Sequence, residues 1–186
     1  MSKIRLNLGC GYNKLAGFQN VDVAGNPDVR HDLESIPWPW ADDSISEIVL
    51  NHVLEHLGKS TEKYIDIIKE IYRVCIGGAL VRITVPHPRH DHFLDDPTHV
   101  RAVTPLGICL FSKRMNAEWI AAHLANSPLG IYHDVDFELV ETTYVPSDLW
   151  FRLHPGQDVD LDRLIFEGSI YNNLIQETRM VVKIIK

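Results

Sequence analysis

The stretch Ile4-Arg5-Leu6-Asn7-Leu8-Gly9-Cys10-Gly11, followed by Asn20-Val21-Asp22-Val23, decides how this chain is read. An apolar strand runs straight into a Gly-x-Gly turn, and a second short strand then ends on a carboxylate. Glycines at such a turn let the backbone bend sharply and lie against a ligand with no Cβ in the way. A carboxylate at the next strand tip is suited to accept both hydroxyls of a ribose. The two together predict a site for a nucleoside-containing cofactor.

Outward from there, strand-like and helix-like segments alternate, as parallel βα units do. Residues 4–8, 21–23, 47–51 and 80–85 read as strands. Residues 61–75 read as a helix, with Tyr64, Ile67, Ile68, Ile71 and Cys75 on its apolar stripe. Ser60 or Thr61 caps its start and Gly77-Gly78 stops it. Val49 and Ile68 are both read as core. In the second half, short helices are expected near 105–111 and 117–124, and strands at 137–145 and 178–185. Residues 147–177 read as mostly irregular around a turn at His154-Pro155-Gly156. There are no repeats and no composition shift, so 1–186 is expected to be one domain, with a cofactor-binding half (1–86) and an acceptor side (87–186).

Composition narrows the function. The chain has 186 residues, 45% hydrophobic and 23% charged, with a formal net charge of −7. An acidic chain without a Lys/Arg run disfavours nucleic acid as a partner. Cys10, Cys75 and Cys109 fit no disulfide or zinc spacing and suit a reducing cytoplasm. The start, Met-Ser-Lys-Ile-Arg-Leu-Asn, lacks the apolar core of a signal peptide, and no run is long enough to span a bilayer.

A nicotinamide dinucleotide is the first rival. Its fingerprint needs a third glycine where Lys14 stands and an acidic residue later than Asp22, and residues 13–20 leave little room for a phosphate-binding helix. Further segments point elsewhere. Leu6-Asn7-Leu8-Gly9-Cys10-Gly11 resembles the first motif of the class I S-adenosylmethionine-dependent methyltransferases, and Asn20-Val21-Asp22-Val23 their acidic second-strand tip. His31-Asp32-Leu33 with the run 36–45 resembles their adenine-side loop. Asn51-His52-Val53-Leu54-Glu55-His56-Leu57 resembles the segment after their fourth strand, and residues 71–78 the turn before their fifth. These matches cover roughly the first half of the chain, in order.

The resemblance implies S-adenosylmethionine as cofactor and methyl transfer to a small or medium-sized acceptor. It implies that Asn7, Gly9, Cys10 and Gly11 meet the methionine moiety, Asp22 the ribose, and Asp32 and Leu33 the adenine, with Asn51 and His52 near the methyl group. It also implies a Rossmann-like α/β domain: a mainly parallel sheet, an antiparallel last strand 178–185 beside 137–145, and helices on both faces. Two departures stand out. Asn7 occupies a position usually held by a carboxylate, and the first helix is nearly absent, leaving that side of the sheet thinly covered.

Other residues have plainer readings. Trp38 and Trp40 read as packing under their loop. The run His87–His99 holds four histidines and three aspartates at the carboxyl edge of the sheet. Its uses rank as loop structure first, a general base second and a metal third, the last through His90-x-His92. His90 and His99 from this run, together with His52 near the methyl group, are the candidate bases, and no metal is expected. Asp158-x-Asp160-x-Asp162 lacks the glycine and glutamate of a calcium loop. A nicotinamide-dependent oxidoreductase and a non-catalytic binding module are the alternative functions.

Overall fold

The computed structural model describes residues 4–186; the first three, which open the segment read above as no signal peptide, lie outside the described residues. Seven strands form one sheet in the order β3-β2-β1-β4-β5-β7-β6. They are β1 (Ile4–Leu8), β2 (Gln19–Asp22), β3 (Val29–Arg30), β4 (Ile45–Asn51), β5 (Cys75–Pro86), β6 (Phe137–Pro146) and β7 (Ile175–Ile184). β1 to β5 run parallel and β7 is antiparallel to both β5 and β6. This is the expected Rossmann-like sheet.

Register explains which face is core. Leu6, Ile48, Val81 and Val182 are successive partners across β1, β4, β5 and β7, and all are buried. Helix α1 (Thr61–Val74) lays Tyr64, Ile67, Ile68 and Ile71 into the same hydrophobic cluster. Ser60 caps it, its Oγ accepting from Lys63 N at 3.2 Å. The helix ends at Val74; Gly77-Gly78 are not its stop but an irregular stretch inside β5, where the pairing with β4 slips between Ile45 and Glu47.

The opposite face is different. Arg5, Glu47 and Arg82 form a row of ion pairs across β1, β4 and β5, at 3.6 and 2.8 Å. Val49 lies on this side, half-buried, while its neighbours Ile48 and Leu50 point into the core. So Val49 is corrected from core to the open face. With no helix between β1 and β2, the cover there is the loop 13–18, where Phe18 packs 4.3 Å under the Arg5 guanidinium.

Beyond β5 lie α2 (Asp91–Leu94), α3 (Pro105–Cys109), α4 (Lys113–Ala121), α5 (Leu129–His133), α6 (Asp148–Leu153) and α7 (Leu161–Ile170). The last two correct the irregular reading of 147–177. Each starts at a side-chain cap, Ser147 for α6 and Asp160 for α7. Asp160, part of the aspartate triplet, thus serves as a helix cap. Trp150, Leu164, Leu174 and Ile175 make a second small core there. No helix among the described residues is long and apolar enough to cross a membrane.

Candidate active site

In this strand order β1 is flanked by β2 on one side and β4 on the other, so the crevice at their carboxyl ends is a topological switch point, where open α/β sheets bind ligands. A cavity of about 340 Å³ opens there, within the range of small-molecule sites. Its wall includes Gly9 after β1, Asp22 at the tip of β2, His31, Asp32 and Leu33 after β3, and His52, Val53 and His56 after β4.

The turn after β1 is built tightly. Gly9 has φ +63°, and a Cβ there would meet Val53 Cγ2 at 2.5 Å. Gly11 N donates to Asp22 Oδ2 at 2.7 Å, and Ala24 N donates to Oδ1 at 2.9 Å. Each carboxylate oxygen thus keeps acceptor capacity for a ligand hydroxyl. Asn7 lies behind the turn: buried, it donates to Asn13 O and to Asn20 Oδ1, both at 2.9 Å. Asn20 in turn accepts from Leu15 N at 2.7 Å and donates to Asp28 Oδ2, also at 2.7 Å. These two asparagines hold the helix-free loop in shape. Cys10 is buried beside it, its thiol pushed up by burial and then by Asp22, so it stays a neutral packing group.

On the adenine side, Trp38 and Trp40 are buried beneath the loop, as read from the sequence. Trp38 Nε1 donates to Leu33 O at 3.0 Å and Trp40 Nε1 to Gln19 Oε1 at 3.0 Å. Glu70 and Arg73 of α1 clamp the same loop through Trp38 N and the carbonyls of Trp38 and Trp40. Leu33 is thereby fixed on the cavity wall. His31, packed edge-on to Trp40, has a buried Nε2 with no protein partner.

The far wall comes from β4 and the 3₁₀ turn Leu54–His56. His52 sits at φ +55° with its amide donating to Thr84 O at 2.9 Å. Its ring lies between two carboxylates, Nδ1 3.4 Å from Glu55 Oε1 and Nε2 3.2 Å from Glu177 Oε1. Glu55 first, and Glu177 with it, hold the imidazole above its ordinary pKa.

The structure sorts the candidates. Gly9, Asp22, Asp32, Leu33 and His52 meet on one cavity. Gly11 reaches it through Asp22; Asn7 and Cys10 stand behind it, and Asn51 is exposed at the end of β4. Of the candidate bases, His99 lies one layer back, its ring 4.6 Å from that of His56. His90 is elsewhere, in a depression shared with Ser147, Arg152 and Asn173, where it caps α2. The sequence reading passed over Val53, His56 and Leu57 as ligand contacts; an apolar pair around Glu55-His56 carries no pattern that marks it as a wall.

No known protein-family profile matches the chain, and no curated protein matches it by sequence. Solved structures do match in fold. A SAM-dependent methyltransferase from Archaeoglobus fulgidus aligns with TM-score 0.57 at 19% identity, over 98% of this chain and 86% of that one. One from Methanosarcina mazei aligns with TM-score 0.54 at 12% identity, over 100% and 94%. The 1,6-didemethyltoxoflavin-N1-methyltransferase of Burkholderia thailandensis, which holds 1,6-didemethyltoxoflavin and S-adenosylhomocysteine, aligns with TM-score 0.52 at 13% identity, over 98% and 71%. The chain has the fold of the class I S-adenosylmethionine-dependent methyltransferases.

Proposed function

We propose that this protein binds S-adenosylmethionine in the cavity between β1, β2 and β4 and transfers its methyl group to a small-molecule acceptor. The observation that carries the reading is the convergence of the Gly9 turn, the Asp22 carboxylate and the 31–33 segment on one cavity at the switch point of a methyltransferase-type sheet. The residues fit the cofactor. Asp22 has acceptor capacity for two ribose hydroxyls, Leu33 offers an apolar surface to the base, and the orphan His31 Nε2 offers it a polar partner. The backbone of Gly9 borders the cavity and is the surface this reading gives to the methionine moiety.

When bound, the cofactor supplies an electrophilic methyl group on a sulfonium, whose loss leaves a neutral thioether. The chain's own task is placement: holding the acceptor atom in line with that methyl group supplies roughly 7–11 kcal/mol of the barrier without covalent help. His52 is the candidate base on the cavity wall; to take a proton from an acceptor hydroxyl or amine, its Nε2 would exchange the Glu177 carboxylate for the acceptor.

A nicotinamide site is disfavoured, because residues 9–18 form no helix whose N-terminus would hold a pyrophosphate. Calorimetry with S-adenosylmethionine, S-adenosylhomocysteine and NAD tests the reading. Binding of the two adenosyl ligands without NAD is expected; NAD binding with neither adenosyl ligand overturns it.

A further inference from the structure

Behind the cavity wall, side chains from two distant segments converge. Glu55 and His56 belong to the 3₁₀ turn after β4, and His99 to the loop after α2. One ligand atom from each lies within 4.8 Å of the others. Glu55 is completely buried and neither of its carboxylate oxygens accepts a close hydrogen bond; the cation it faces in the fold is the His52 ring, whose Nδ1 lies 3.4 Å from Oε1. A fully buried carboxylate with only that long contact, and with Oε2 left without a donor, is costly unless a further cation meets it.

Both imidazoles are oriented for that cation. His99 Nδ1 is 2.8 Å from the carbonyl oxygen of Phe93, so Nδ1 carries the proton and Nε2 the lone pair. Thr98 Oγ1 donates to Asp96 Oδ1 at 2.6 Å, which leaves the hydroxyl an acceptor for His56 Nδ1 at 2.9 Å. His56 therefore also presents Nε2. Histidines that bind metals are held this way, the second nitrogen donating to a carbonyl or hydroxyl that fixes tautomer and tilt. Asp96 Oδ2, 3.9 Å from His99 Nε2, completes the surroundings.

We propose that Glu55, His56 and His99 bind one divalent transition-metal ion at the edge of the cavity. Two imidazoles and a carboxylate suit zinc, iron or cobalt better than magnesium or calcium, which favour all-oxygen shells. Three protein ligands leave positions open for water or a substrate oxygen. His56 belongs to both the cluster and the cavity wall, so an ion here would border bound ligand. An acceptor with a hydroxyl or carboxylate oxygen is the class such an ion would hold; that last step rests on the methyl-transfer reading, whereas metal binding does not. The proposal replaces the sequence expectation of no metal, which considered ligands within 87–99 and could not see that two come from residues 55 and 56.

The test strips the full-length protein with chelator and titrates Co²⁺, following its visible absorption, with Zn²⁺ displacement and elemental analysis for stoichiometry. One Co²⁺ per chain, displaced by Zn²⁺, is expected. Glu55→Gln and His99→Ala should each weaken binding about 10-fold or more, with circular dichroism and cooperative melting like the parent. His56→Gln, at a half-buried position, carries the same test should a buried variant fail to fold. His92→Ala, whose ring pairs with His90 at 4.2 Å outside the cluster, should bind as the parent does. No binding to the folded parent, or binding that Glu55, His56 and His99 variants leave unchanged, overturns the site. S-adenosylhomocysteine calorimetry on the same samples keeps the cofactor reading separate: its failure would leave the metal site standing.

Discussion

Gly11 donates its amide proton to Asp22 Oδ2 across 2.7 Å, tying the turn after the first strand to the tip of the second. The carboxylate that should hold a ribose therefore also shapes the loop that should hold the methionine moiety. Cofactor binding and loop shape are coupled through one side chain, so a single variant probes both.

Asp22→Ala should weaken S-adenosylhomocysteine binding roughly 10- to 100-fold, the loss of hydrogen bonds to a charged group of about 1.5–3 kcal/mol. The freed Gly11 and Ala24 amides sit at exposed positions, where water replaces the carboxylate, so the melting temperature should fall little. Calorimetry beside thermal melting decides: unchanged affinity would reduce Asp22 to a strand terminator.

Gly9→Ala attacks the same turn sterically. The new Cβ meets the Val53 side chain at 2.5 Å, in a backbone conformation at φ +63° that costs about 1–3 kcal/mol for a non-glycine residue. Lower stability and weaker cofactor binding should appear together. Adding Val53→Ala should recover part of the stability, because it removes the clash and not the backbone strain. No recovery would mean that the backbone term dominates.

Most of the parallel half of the sheet was legible because buried strands and an amphipathic helix each leave a local apolar pattern; the two-residue strand Val29–Arg30 is too short to leave one, so Asp32 and Leu33 behind it were reached only through the family resemblance. The misses share a cause. Helix α7 exposes Ile165, Phe166 and Ile170 while burying Leu164 and Gly168, so its stripe carries little contrast. The union of Glu55 and His56 with His99 depends on a fold-back of the chain, through Val100 and Arg101 amides that both donate to Glu55 O, which no local spacing encodes. Val49 sits in a run of apolar residues whose alternation between faces is invisible until register is known.

That register gives a contrast. Ile48→Asp and Ile68→Asp bury an unpaired carboxylate among fully packed side chains and should cost several kcal/mol, comparable to the whole stability of a domain at roughly 5–15 kcal/mol. Val49→Asp, one residue along β4 but on the open face beside Arg82, should stay folded. Denaturant titrations of the three variants check it; an unfolded Val49→Asp beside a stable Ile48→Asp would mean the faces are assigned the wrong way round.

Lys14, where a dinucleotide fingerprint would have glycine, is instead a tether: its Nζ lies 2.6 Å from Asp28 Oδ1. Asn20 adds two further donors on Oδ2, from N at 2.9 Å and Nδ2 at 2.7 Å. The lysine first, then Asn20, hold the Asp28 carboxyl down at about 2, against an ordinary value of 3.8. A carboxyl depressed in the fold favours the folded state above its unfolded value and loses that contribution as pH falls through the folded one. Asp28→Asn should therefore be less stable than the parent at neutral pH, with a gap that closes between about pH 4 and 2. Urea midpoints measured across that range test it. Lys14→Ala should move the Asp28 titration, followed by carboxyl-carbon resonance, upward toward 3.8. A gap that stays constant with pH, or a midpoint that ignores Lys14, would show that the loop between β1 and β2 is held by the asparagine pair alone.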